Sequence, residues 1–173
     1  MQEIPGYRIR QLLYTSSNSL IYRAQRVADD QPVILKIFNQ EYPSPERIAW
    51  FRREYEVIHN LDLPGVVAAY DLANVRQRWM MALEDFGGES LHRLKLAGAL
   101  DLDRALALAI AVAEILGQVH QRFIMHKDVN PSNIVLNPAT GQVKLIDFGI
   151  STVPALTLAV TIEAFPDPRR NAR

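Results

Sequence analysis

Apolar and polar residues alternate along the first forty positions as strands require. The segments YRIRQLL (7–13) and SLIYRAQRV (19–27) read as two strands joined by the polar YTSSNS. Asp29-Asp30-Gln31-Pro32 is a turn signal, and VILKIF (33–38) follows as a third strand. The period then changes. Ile48, Phe51, Tyr55 and Ile58 recur at helical spacing. Ser44 suits the N-cap of that helix, Pro45 its first position and Glu46 its first turn, and Pro64-Gly65 ends it. VVAAYDLANV (66–75) and RWMMALEDF (78–86) predict two more strands, with a turn at Arg76 and Gln77. GGES (87–90) breaks the pattern as a hinge would. Asp101 caps a helix running to about His120, apolar almost all round, which predicts burial on most sides. After it comes the polar cluster HKDVNPSN (126–133). NIVLN, PATGQ and VKLIDFG then read as strand, turn and strand.

Composition narrows the class. The chain has 173 residues, 49% apolar and 22% charged, enough for a buried core in one domain or two small lobes. Its formal net charge is zero, so nothing favours nucleic acid or an anionic membrane as a partner. Cysteine is absent, which excludes disulfides and thiolate metal sites. The first ten residues have no signal-peptide core. The longest apolar run, residues 105–116, is short of a bilayer span and contains Glu114. The expectation is a soluble, cytoplasmic chain: five strands with one helix, a Gly-Gly break, then a helical segment with a short hairpin, and a cleft between the two parts.

Four polar features stand out. Lys36 lies on a strand whose two faces are both apolar. It is either a lysine snorkelling at a sheet edge or one that holds an anion in a cleft. Glu54 falls beside Ile58 and Leu61 at the edge of the helix's apolar stripe. It is either solvated or in need of a cation, with Lys36 as a plausible partner. Asp128 and Asn133, stiffened by Pro131, make either an Asx-rich turn or a held polar site. Asp147-Phe148-Gly149 ends the last strand.

In order and context, VILK, Glu54 in FRREYEVIHNL, HKDVNPSN and DFG resemble the signature set of protein kinases, over residues 7 to about 150. The stretches IPGYRIRQLLY, LPGVV and LEDFGGESL are similar to the Ser/Thr-kinase-like domains that begin large bacterial multidomain sensor histidine kinases. The resemblance implies a kinase-like α+β fold. Residues 1–85 would form an N-lobe of five antiparallel strands and one helix. Residues 86–150 would form part of a mainly helical C-lobe, and residues 151–173 a divergent, disordered tail. It implies ATP and Mg²⁺ as cofactors and a protein Ser/Thr hydroxyl as acceptor. Lys36 would hold the α- and β-phosphates, oriented by Glu54. Asn133 and Asp147 would bind the metal, since hard oxygen donors suit it. Asp128 would take the hydroxyl proton. Leu83 would line the back of the adenine pocket, and the backbone from Glu84 to Phe86 would meet adenine. His126 and Phe148 would pack rather than react.

The sequence departs from that pattern in three places. Tyr14, Ser16 and Ser19 stand where three glycines are expected over the phosphates. Serine can still donate to phosphate, so Ser16 and Ser19 remain nucleotide-binding candidates; Tyr14 cannot mimic glycine. Asn130 occupies the place of a lysine near the transferred phosphate, which implies a slower chemical step. Lys127 replaces an arginine and loses its planar fork. After Gly149 only 24 residues follow, without an APE motif. The expectation from that is a truncated or frame-shifted product, with further signalling domains or a second chain to complete the C-lobe. A non-catalytic, partner-binding pseudokinase remnant is the alternative. A small-molecule phosphotransferase fits the short Asp128–Asn133 spacing less well.

Overall fold

In the computed structural model the described residues are 4–40, 43–75, 77–96 and 98–152; the tail expected at 151–173 lies outside them from 153 on. The first part of the chain forms β1 (Tyr7–Thr15), β2 (Ser19–Arg26), β3 (Pro32–Phe38), α1 (Pro45–Leu61), β4 (Ala69–Val75) and β5 (Arg78–Glu84). Its sheet runs β1-β2-β3-β5-β4, antiparallel throughout. Then follow β6 (Glu89–Ser90), α2 (Leu91–Leu94), α3 (Leu102–Gln121), β7 (Ile134–Leu136) and β8 (Val143–Leu145), with β6, β7 and β8 in a second sheet. This is the expected α+β architecture: five antiparallel strands with one helix, then a second part with two helices and a smaller sheet.

The alternation within β3 explains the larger sheet. Val33, Leu35 and Ile37 are buried with Ala24, Met80 and Ala82 in a small core on one face. The opposite face turns Ile34, Lys36 and Phe38 toward α1. Phe38 meets Phe51 of α1 edge-on, 5.5 Å between ring centres. α1 starts where its sequence says it should: the Ser44 side chain accepts from Arg47 N, and Pro45 opens the helix. It ends at Asp62, in the left-handed region at φ 41°. Its buried residues, Phe51, Glu54, Ile58 and Leu61, fall at helical spacing.

One core joins the two sheets. It passes from Phe51, Ile58 and Leu61 through Val66 and Val67 to Ile115 and Val119 of α3, then to Ile134, Leu145 and Phe148. The junction is also hydrogen-bonded: Leu145 N donates to Gly65 O at 2.8 Å and Val67 N to Leu145 O at 3.1 Å. Gly65 also leaves room for α3, because a Cβ there would stand 2.3 Å from Ile115 Cγ1.

Two features differ from the sequence expectation. α3 is not buried on most sides. Ile115 and Val119 are, whereas Leu102, Leu106 and Ile110 are 72%, 52% and 58% exposed. α3 packs on β8 and on the Pro64–Val67 connection by one face, and among the described residues nothing covers the stripe at i, i+4, i+8. The GGES break also holds structure: Glu89 and Ser90 form β6, and Ser90 caps the single turn of α2 that follows, its Oγ accepting from Arg93 N. No helix among the described residues is long and apolar enough to cross a membrane.

Two glycine substitutions should have opposite effects. Gly65→Ala forces a contact into the junction and should cost about 1–3 kcal/mol. Gly117 sits inside α3, and a Cβ added there would meet nothing within 4 Å. Gly117→Ala should therefore stabilise by about 0.5–1 kcal/mol. Denaturant midpoints of the two variants check both signs.

Candidate active site

Lys36 projects from the middle of β3, in register with Ile21 of β2 and Met81 of β5. Its Nζ lies 2.5 Å from Glu54 Oε1 and 3.5 Å from Asp147 Oδ1. Three separate elements therefore meet on one cation, over sequence separations of 18 and 111 residues. The Lys36 and Glu54 side chains are only 12% and 6% exposed. Burial works against the charge on Lys36, but Glu54 and Asp147 outweigh it and raise its pKa. For Glu54 burial dominates, and with Asp147 it raises the carboxyl's pKa despite Lys36. Of the readings open for Glu54, the structure realises the one with Lys36 as its cation.

Asp147 sits at φ 63°, in the left-handed region that Asp tolerates better than most residues. Gly149 N donates to its Oδ1 at 3.3 Å. Phe148 is 1% exposed and packs its ring 4.4 Å from that of His126. His126 Nε2 faces the Ile146 carbonyl at 3.0 Å, and its Nδ1 faces Asp128 N at 3.2 Å. A neutral ring protonated at Nε2 satisfies both contacts. His126 and Phe148 thus pack, and in doing so fix the backbone on either side of the site.

The polar cluster is held by its own amides. Asn133 Nδ2 donates to both Asp128 Oδ2 and Asp128 O at 2.9 Å. Asn130 Nδ2 donates to the other carboxylate oxygen, Oδ1, at 3.0 Å, while its own Oδ1 accepts from Ser132 N at 2.8 Å. Ile146 N donates to Asn133 O at 3.0 Å, which ties this loop to the segment leading into Asp147.

The nucleotide-binding candidates are placed unevenly. Ser16 closes the β1–β2 turn: its Oγ accepts from Asn18 N and Ser19 N, and Asn39 Nδ2 donates to its carbonyl at 2.7 Å. Ser19 opens β2. Neither belongs to the Lys36 contacts. Leu83 is 8% exposed, in the shared core and opposite Ile34. Glu84 accepts from Lys144 Nζ at 2.6 Å and from Ala68 N at 3.1 Å, so its side chain ties the sheets together. The Phe86 carbonyl accepts from Asn137 Nδ2 at 2.6 Å, and its ring lies 5.5 Å from Lys144 Nζ. Lys144 and Asn137 are residues that the sequence did not single out. The available signal was a lysine inside the apolar VKLI, alternating into a buried face.

Residues 7–159 match the family described as Protein kinase domain. The chain is similar to the serine/threonine-protein kinase PrkC of Bacillus subtilis, 30% identical over 153 residues that cover 87% of this chain and 24% of that protein. It is similar to PknA of Mycobacterium tuberculosis, 32% identical over 152 residues covering 84% and 35%. To pkn3 of Myxococcus xanthus it is 28% identical over 174 residues covering 93% and 32%. The chain therefore spans between 24% and 35% of the length of these relatives. Fold, ordered motifs and relatives agree: the chain belongs to the protein kinase family.

Proposed function

We propose that the cleft around Lys36 binds ATP with Mg²⁺ and passes the γ-phosphoryl group to a Ser or Thr hydroxyl of a protein substrate. The lobes would divide near residue 85, with residues 86–150 as the second. The observation that carries this reading is the convergence of Glu54 and Asp147 on the buried Lys36 Nζ. A structural lysine needs one partner. A second carboxylate at 3.5 Å, on a strained backbone, is a costly arrangement that function would explain.

The donor set fits the metal. Asp147 offers carboxylate oxygens. Asn133 commits its Nδ2 to Asp128, which leaves Oδ1 as its acceptor atom. Two protein oxygens, completed by phosphate oxygens and water, are the usual provision for Mg²⁺. Bound there, the ion would neutralise charge on the phosphates.

The chain's own residues would do the rest. Lys36, held by Glu54, would fix the α- and β-phosphates. Asp128 would accept the substrate's proton, its carboxylate aimed by Asn130 and Asn133. Asn130 presents a dipole, not a charge, beside that carboxylate. Leu83 would back the adenine, with the backbone of Glu84 to Phe86 along its edge. Ser16 and Ser19 would cover the phosphates from the turn. The stretches IPGYRIRQLLY, LPGVV and LEDFGGESL support a place as the kinase unit of a larger bacterial signalling protein.

Calorimetry with Mg²⁺ and ATP tests the cleft. The wild type should bind, and Asp147→Ala should lose the Mg²⁺-dependent part. A folded wild type that binds no nucleotide would overturn the reading in favour of a partner-binding module.

Lys36→Met should lower phosphoryl transfer by about 10²–10³-fold. It should also cost about 3 kcal/mol or more at neutral pH, by leaving Glu54 buried and unpaired. The cost has a sign in pH. Glu54's folded pKa is already raised, and losing the cation raises it further. Its protonated form therefore contributes stability that is present at acid pH and lost as pH rises through the folded value. Denaturation at several pH values should show the variant approaching the wild type on the acid side.

A further inference from the structure

One polar network joins the two sheets through side chains to which the reading above gives no role. Arg23, near the middle of β2, places Nε 2.7 Å from Asp85 Oδ2, Nη2 3.1 Å from the Gly88 carbonyl and Nη1 3.4 Å from Glu89 Oε1. Arg93 of α2 takes the other Glu89 oxygen, Nε to Oε2 at 3.0 Å. Its Nη1 then reaches back to β1 and donates to the Leu13 carbonyl at 2.6 Å.

That carbonyl is available for a structural reason. The β1–β2 register passes from Leu12↔Tyr22 to Tyr14↔Ile21 and skips Leu13. A bulged residue drops out of the ladder, and its backbone groups need partners from outside. Arg93 supplies one. On its other side α2 is fastened to the polar loop, where His92 N donates to Pro131 O at 2.9 Å. The four residues of α2 thus connect the roof strand β1, through Arg93, with the loop that carries Asp128 and Asn133, through His92. The position calls for arginine: two nitrogens serve two acceptors on different elements, which a single ammonium does poorly. The Arg93 and Glu89 side chains are 43% and 28% exposed. Partly exposed ion pairs are weak and salt-screened, which suits a contact that opens.

We propose that Arg93, braced by Glu89 and Arg23, is a latch that holds β1 down over the cleft, and that bound nucleotide leaves when it opens. This rests on the cleft being a nucleotide site. Arg93 is a positioning residue: it touches the roof, not the reacting atoms.

The test uses the full chain in two measurements. The first is stopped-flow release of a fluorescent ADP analogue with Mg²⁺ from wild type, Arg93→Ala, Arg93→Lys and Glu89→Gln. The second is amide hydrogen exchange across residues 11–19 without nucleotide, with α1 as the reference for global stability. Arg93→Ala should release about tenfold faster, as befits the loss of one exposed charge pair and one charge-assisted bond. Arg93→Lys and Glu89→Gln should fall between it and the wild type. Added salt should speed the wild type toward Arg93→Ala and leave that variant nearly unchanged. Exchange in β1 should quicken in Arg93→Ala while α1 stays as it was. Unchanged release from a folded Arg93→Ala would overturn the gating role, whatever the exchange shows. If the folded wild type binds no nucleotide, the cleft reading fails separately. The exchange data then decide alone, and unchanged exchange in β1 would overturn the latch too.

Discussion

The buried pair of Lys36 and Glu54 is the constraint on which the rest of the structure hangs. Two charges with side chains 12% and 6% exposed carry a large desolvation penalty, which only close geometry offsets. An apolar pair of similar volume would stabilise the fold as well or better. The pair is therefore poor evidence of stability and good evidence of a use for charge. It also sets the pose of α1. Glu54 lies in the same buried row as Phe51, Ile58 and Leu61, so the helix docks its apolar stripe and delivers its carboxylate in one motion. With Asp147 added, two carboxylates share one cation. The cluster is left with excess negative charge facing the cleft, which a bound cation would relieve.

The second half of the site is organised by amides rather than charges. Asp128 has each carboxylate oxygen matched to an asparagine Nδ2, one from Asn130 and one from Asn133. His126 and Phe148 pack together with their rings tilted, and the imidazole bridges the Ile146 carbonyl and Asp128 N. A buried ring that uses both nitrogens is rigid, and it couples the loop to the Asp147 segment. Where a lysine would bring charge near a transferred phosphate, Asn130 brings a well-anchored dipole. Hydrogen bonds from and to the Asn130 amide hold the loop, with no charge at that position.

Much of this was legible in the sequence, for identifiable reasons. Strand alternation in residues 33–38 and helical spacing from Phe51 to Leu61 report burial directly, so β3 and α1 could be read off. The caps at Ser44 and Asp101 are local chemistry and were equally plain. Lys36 and Glu54 were ambiguous singly, because either could be solvated; only tertiary packing decides that. α3 misled because an all-round apolar pattern states what a helix tolerates, not what surrounds it. β6 and α2 were hidden by length: two and four residues carry no period. Lys144 and Asn137 were missed because their roles exist only across the sheet junction, with Glu84 and Phe86 respectively.

The missing glycines of the roof turn read differently once the turn is seen folded. A glycine-rich turn is loose in the free protein and must be ordered by its ligand, an entropic cost that falls on binding. Here the Ser16 hydroxyl accepts from two backbone N–H groups, and Asn39 clamps the Ser16 carbonyl. Upstream, Arg93 holds the bulged Leu13. Side chains thus supply order that glycines would have left to the ligand. If nucleotide binds as proposed, closeness of backbone to phosphate would be exchanged for less entropy lost on binding. The substitutions at Ser16 and Ser19 are accordingly no argument by themselves against a nucleotide site. Tyr14 is 62% exposed, so its side chain points into solvent instead of filling the space beneath the turn. The departures from the glycine pattern change how the roof is stiffened, not whether there is a roof.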